Sequence, residues 1–253
     1  MVANPQTMDA REFERTFRAS IKKRSDKLIE IFLGLHFLLG LLLASFYDTW
    51  MVALVVGGLC LATYFLAKKL LPNNTVHHYV AGAVLGVFMA QFIYQMHGMF
   101  EMHFFAFVAS ALMITYQNWK AQIPIAVVVV VHHAVFGYLQ YQQFESNLPN
   151  TIYFTQLSYM SLQTFIIHGI LATVIFFICG LWAYEMDKRS NETIENTKNI
   201  LAVAQANDNV SRNLEYAILL SEGELNETIR FKDGDLMGEA LSKIQNKLGV
   251  TVK

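Results

Sequence analysis

Six apolar stretches, each long enough to cross a bilayer as a helix, fill most of this chain: Leu28–Phe46, Met51–Leu71, Tyr79–Met96, Phe100–Tyr116, Ile123–Tyr141 and Leu162–Tyr184. A hydrocarbon core of about 30 Å takes about 20 helical residues. A backbone inside it must satisfy its own hydrogen bonds, which a helix does within one segment. Between Lys69 and Lys120 the sole charged residue is Glu101, and between Lys120 and Glu185 it is Glu145. Only 15% of the residues are charged and 54% are hydrophobic, whereas about a quarter of an ordinary soluble domain is charged. The expected fold is all-α, a polytopic six-helix transmembrane bundle over residues 28–187, preceded by a polar segment (1–27) and followed by another (188–253). A net charge of −1 offers no basic field for nucleic acid. Cys60 and Cys179 both sit inside apolar runs, where burial accounts for them without a disulfide.

Lysine and arginine mark alternate ends of the spans. Lys22, Lys23, Arg24 and Lys27 precede the first, Lys68 and Lys69 close the second, Lys120 lies between the fourth and fifth, and Lys188 with Arg189 follows the sixth. The opposite loops, around Asp48, Gly98 and Glu145–Asn150, carry neither residue. The positive-inside rule then predicts a multi-pass membrane protein with both termini in the cytoplasm. The polar stretch ahead of the first span is too long for the short tag of a cleaved signal peptide. The loop 142–156 is too small for a folded domain, so anything bound on the outside is met within the membrane or at its rim.

Both polar flanks read as helical. Phe13, Phe17 and Ile21 are four apart with basic residues around them, a single stripe suited either to an anionic lipid surface or to packing on the protein itself. In the C-terminal segment Leu214, Ile218, Ser221 and Leu225 step by four, three and four, as do Met237, Leu241, Ile244 and Leu248. These are two heptad-like stripes, joined by a connector carrying Lys232, Asp233 and Gly234. One such pair is too small to bury both stripes, whereas a parallel homodimer closes four helices into a bundle.

Gly223-Glu224-Leu225 before the connector and Asp235-Leu236-Met237-Gly238 after it resemble the marks of a HAMP signalling module over roughly residues 205–250. That resemblance implies a cytoplasmic HAMP-like coiled coil relaying motion from membrane helices to a kinase-control, cyclase or chemoreceptor output. No output follows residue 253, so it is expected in a continuation of the chain or in a partner.

The chemistry lies in histidine. All eight (His36, His77, His78, His97, His103, His132, His133 and His168) fall in the membrane region, where polar and ionisable groups are costly and commonly functional. At about 1.5 Å per residue, His36, His103, His132, His133 and His168 fall in one outer-half layer, with His97 at the rim. His77 and His78 fall at the cytoplasmic edge of the third span and are expected to be ordinary interfacial histidines. His97 and Glu101 are four apart and share a face if the helix continues, while Gly98 can break it. His132 and His133 splay by about 100°, so one can ligate while the other supports it or serves a second ion. Imidazole with carboxylate suits copper, zinc or iron. The expected metal set is therefore His36, His97, Glu101, His103, His132, His133 and His168, with no catalytic residues. Met99, one turn from His103, either fills space between helices or adds a thioether that favours Cu(I).

Gly98-x-x-Glu101-x-His103-Phe104, then Tyr116-Gln117-Asn118-Trp119, then His132-His133-x-x-Phe136 resemble the membrane input region of bacterial chemoreceptors, histidine kinases and diguanylate cyclases. This implies a non-enzymatic sensor, with a role such as chemotaxis. Asn118 stands where relatives often carry an acid, and Tyr94 where they carry a histidine, which makes His97 the weakest carry-over. Haem b, held by two axial histidines, and a quinone remain alternatives, with the Gly82–Gly86 step leaving room for a macrocycle or for close helix packing. An integral-membrane metalloenzyme is a further alternative, although the HxxxH and HxxHH boxes usual in such enzymes do not occur.

Overall fold

The computed structural model describes residues 10–72, 74–149, 151–157, 161–223 and 234–251. Among these residues the chain is helical, without strands. Its helices are α1 (Ala10–Tyr47), α2 (Trp50–Leu70), α3 (Val76–Gln95), α4 (Phe105–Met113), α5 (Gln122–Glu145), α6 (Leu162–Ser221) and α7 (Leu236–Thr251). Five of them, α1, α2, α3, α6 and the α5 region, are long and apolar enough to cross a membrane.

Two differences from expectation have plain causes. The N-terminal polar segment and the first span form one 38-residue helix, since neither proline nor glycine interrupts their junction. Its polar part is tied to α6: Glu14 pairs with Lys198 at 2.7 Å, and Arg18 meets Asp187 at 3.7 Å and Asn191 at 2.6 Å. The fourth span is not a continuous α-helix. A 3₁₀ turn (Phe100–Phe104), the nine residues of α4 and a second 3₁₀ turn (Ile114–Tyr116) follow one another. The 3₁₀ form rises about 2.0 Å per residue against 1.5 Å, so this stretch still reaches about 30 Å.

The chain divides into two compact units, one of residues 16–191 and one joining 1–15 to 192–253. In the larger unit α3 is the axis, with two thirds of its apolar window (67%) buried, against 11% for α6. Ile29, Leu33, Tyr64, Phe88, Phe92, Met113 and Ile125 belong to its core. Small residues let α3 and α5 approach: a Cβ on Gly82 would stand 2.8 Å from the Ala121 carbonyl oxygen, and one on Gly86 would stand 3.0 Å from the Val128 side chain. Of the two readings of this glycine step, close packing is the one realised. Large apolar side chains such as Leu42, Met51, Leu59, Val130 and Phe177 point outward.

In the smaller unit, Asp235 opens α7. It accepts from the Gly238 N–H at 3.1 Å and from the buried Asn213 amide at 2.9 and 3.0 Å. Those donors hold its carboxyl below the ordinary carboxylate range. Leu214, Ile218, Met237, Ile244 and Leu248 are exposed. Glu224, Leu225, Lys232 and Asp233, which carry part of the stripe and connector, lie outside the described residues.

Candidate metal centre

The end of α3 sets up the site. Its chain turns through His97 (φ 51°) and Gly98 (φ 79°), and the Gly98 N–H closes back on the Ile93 carbonyl at 2.8 Å. A Cβ on Gly98 would stand 2.4 Å from the Thr155 carbonyl carbon, so glycine is needed for both the turn and this close approach. The 3₁₀ turn that follows has three residues per turn. Glu101 and His103, two apart, therefore point to different sides: His103 is buried and Glu101 is exposed.

His103 then meets His133 from the middle of α5 and His168 from the start of α6. One ring nitrogen of each lies within 4.8 Å of the others, and the group can hold a metal ion. His133 Nε2 and His168 Nε2 are 3.3 Å apart. Their rings lie near-parallel at 5.3 Å, while His103 stands edge-on to both, at 5.4 and 5.5 Å. His133 Nδ1 is 2.7 Å from the Val129 carbonyl oxygen. A carbonyl can only accept, so Nδ1 carries the proton and Nε2 offers its lone pair toward His168.

A loop residue covers the cluster. The buried Phe154 ring lies 5.5 Å from His103 and 5.0 Å from His133. Gln140 fixes that loop with four hydrogen bonds. Its Oε1 accepts from the Phe154 N–H at 2.6 Å and the Thr155 N–H at 2.8 Å, and its Nε2 donates to the Thr155 and Leu157 carbonyls at 2.8 and 3.1 Å. The Gln156 N–H adds a bond to the Gly98 carbonyl at 3.1 Å. Neither Phe154 nor Gln140 was picked out by sequence. A buried glutamine near a span end is a weak signal until the loop that it captures is known.

The remaining expected ligands are placed elsewhere. His132 adjoins the cluster, 5.4 Å from His133 ring to ring. It stacks on Phe136 at 4.7 Å, and both its nitrogens are buried without a hydrogen-bond partner. His36 is enclosed by Phe88, Phe92 and Phe105 and donates from Nδ1 to the Phe32 carbonyl. His97 sits between the Tyr47 and Tyr153 rings. Of the seven expected ligands, the structure brings three to one point.

His77 and His78, in the first turn of α3, are 0% and 5% exposed and buried together with Asp26. The three form a second group able to hold an ion.

The chain matches no protein-family model, no curated protein and no solved structure.

Proposed function

We propose that this chain is a bacterial inner-membrane sensor that binds a transition-metal ion through His103, His133 and His168 and passes the state of that site along α6 to a HAMP-like module. The observation that carries the reading is the convergence of three imidazoles from three separate elements beneath Phe154. Three neutral nitrogen ligands with a further position open suit copper, zinc or iron. His132, beside them with both ring nitrogens unpartnered, is the nearest supplementary ligand. In this reading Phe100–Tyr116 is the fourth of six crossings, the site lies in the outer half of the bilayer, and both termini are cytoplasmic.

Continuity supports the relay. His168 lies near the start of α6, which runs 60 residues without a break, about 90 Å at 1.5 Å per residue. A change in ligation can shift output only if it favours one packing of this helix over another. The exposed Leu214, Ile218, Met237 and Ile244 fit a homodimeric coiled coil, with kinase, adaptor or cyclase as the output partner.

A haem b or quinone sensor is the second reading. It draws on a cleft of about 460 Å³ between α5 and α6 whose wall includes His133 and His168. Two axial bonds of about 2 Å each need about 4 Å between nitrogens, and the 3.3 Å separation of this pair favours a bare ion.

Metal analysis and a visible spectrum of the purified protein test both readings. Bound copper, zinc or iron falling at least several-fold in His103→Ala and His133→Ala supports the first, and a Soret band supports the second. Unchanged metal in both variants removes this cluster as the site.

A further inference from the structure

The second histidine group is independent of the first. Asp26 comes from α1, His77 and His78 from the first turn of α3, and Lys68 and Tyr116 close the group from α2 and the end of the fourth segment. Asp26 Oδ1 accepts from His77 Nε2 at 3.0 Å and from the Tyr116 hydroxyl at 3.1 Å, and lies 3.9 Å from His78 Nε2. The Lys68 ammonium is 3.4 Å from Asp26 Oδ2 and also pairs with Glu30.

This packing leaves polar atoms without partners. Both ring nitrogens of His78, and Nδ1 of His77, are buried and make no hydrogen bond. An unsatisfied buried polar group costs about 1–3 kcal/mol, and His78, with neither nitrogen bonded, can offer one of them to an ion. Asp26, His77 and His78 each offer one ligand atom, all within 4.8 Å of one another. Donor atoms around a tetrahedral ion at about 2.0–2.1 Å stand about 3.3 Å apart. Once the His77 proton moves from Nε2 to Nδ1, freeing Nε2 as a ligand, the 3.0 and 3.9 Å separations need only small side-chain adjustment. From these distances and from the orphaned nitrogens, we propose that Asp26, His77 and His78 form a second site for a divalent transition-metal ion, such as zinc.

Two histidines and one carboxylate are borderline donors suited to zinc, iron or copper rather than to magnesium or calcium. A cleft of about 340 Å³, lined by Lys22, Lys23, Asp26, Lys27, Glu30 and Lys68, gives access to the carboxylate. Lys68 is the competing cation. It is 34% exposed and has Glu30 as its other partner, so it can leave Asp26 when the ion enters. An ion here would cross-link α1 and α3 at the N-terminal end of α3, before the 20-residue helix leads to the turn above the first cluster.

The test uses the full chain in detergent, stripped of metal, titrated with Zn²⁺ or with Co²⁺ as a spectroscopic probe, and desalted before bound metal is measured. About two equivalents are expected in the wild type and about one in His133→Ala/His168→Ala. Adding His78→Gln to that pair should abolish the remaining equivalent or weaken it about tenfold or more. His78 makes no hydrogen bond, so this change leaves Asp26 its bonds to His77 and Tyr116. If the double variant does not fold, His78→Gln alone should remove one of two equivalents and change the Co²⁺ visible bands. Lys68→Gln should tighten binding several-fold by removing the competing charge, an outcome that a purely structural role does not produce. An equivalent that survives His78→Gln in the His133→Ala/His168→Ala background, or the absence of any His78-dependent equivalent, overturns the proposal. One equivalent lost with His78→Gln but kept in His133→Ala/His168→Ala would leave this site standing and remove the first.

Discussion

The two histidine groups are built from the same imidazoles and have opposite structural settings. Asp26, His77 and His78 lie against α3, the most buried helix, in a pocket where a carboxylate already links α1, α3 and Tyr116. His103, His133 and His168 are brought together by a 3₁₀ turn, α5 and the sparsely buried start of α6, and they are held from above by a loop. Polar groups deep among packed helices are part of what the fold rests on, because removing one member strands the others. In the other group His103 and His133 are buried and only His168 is half-exposed, so His168 can change partners with less effect on the core. The Asp26 group is thereby the one expected to matter more for stability.

Removing Asp26 is the strongest way to test that contrast. Asp26→Ala would leave His77 and Tyr116 without their acceptor and Lys68 with Glu30 alone, and should cost about 3–5 kcal/mol in the metal-free protein. The measurement is thermal unfolding in detergent, followed by the reactivity of the buried Cys60 thiol. A loss below about 1 kcal/mol would mean that the carboxylate is not part of the structural core.

Gly98→Ala comes next, and it should separate the two groups. The new methyl group meets the Thr155 backbone at 2.4 Å and occupies a φ of 79°, so the loop bearing Phe154 must move, at a cost of about 1–3 kcal/mol. Metal should leave the His103 cluster several-fold faster, measured by transfer to a chelator, while binding at Asp26 is unchanged. Equal effects on both sites would show that they are not independent.

The smallest effect on stability is expected from His168→Ala. His168 is only half-buried, so the metal-free protein should lose no more than about 1 kcal/mol, although the first site loses a ligand. In a fusion to a cyclase output, the same variant should no longer respond to metal. A destabilisation as large as that of Asp26→Ala would erase the distinction drawn between the two groups.

The departures from expectation are local in origin. The rise per residue is fixed, so counting along each span puts five histidines in one expected layer. Azimuth is not legible, because the direction that a side chain faces depends on which neighbour its helix meets. His36, expected in that layer, packs against Phe88 and Phe92 on α3. Glu101 is two residues from His103 but is carried to another side by a 3₁₀ turn that composition does not announce. Asp26 is lost to sequence reading among Lys22, Lys23, Arg24 and Lys27, where it looks like one charge in a solvated run.

What the sequence determined by itself is the helical, apolar architecture. Runs of about 20 uncharged residues leave a chain few other ways to satisfy its backbone in an apolar setting, and glycine at 98 marked the turn because few other residues tolerate its φ. The tertiary structure alone decided which imidazoles meet. His133 and His168 are 35 residues apart, and Asp26 and His77 are 51 apart. Such pairs depend on helix rotation and on close contacts such as those at Gly82 and Gly86. Packing at that level is a property of several segments fitting together, and no single segment encodes it.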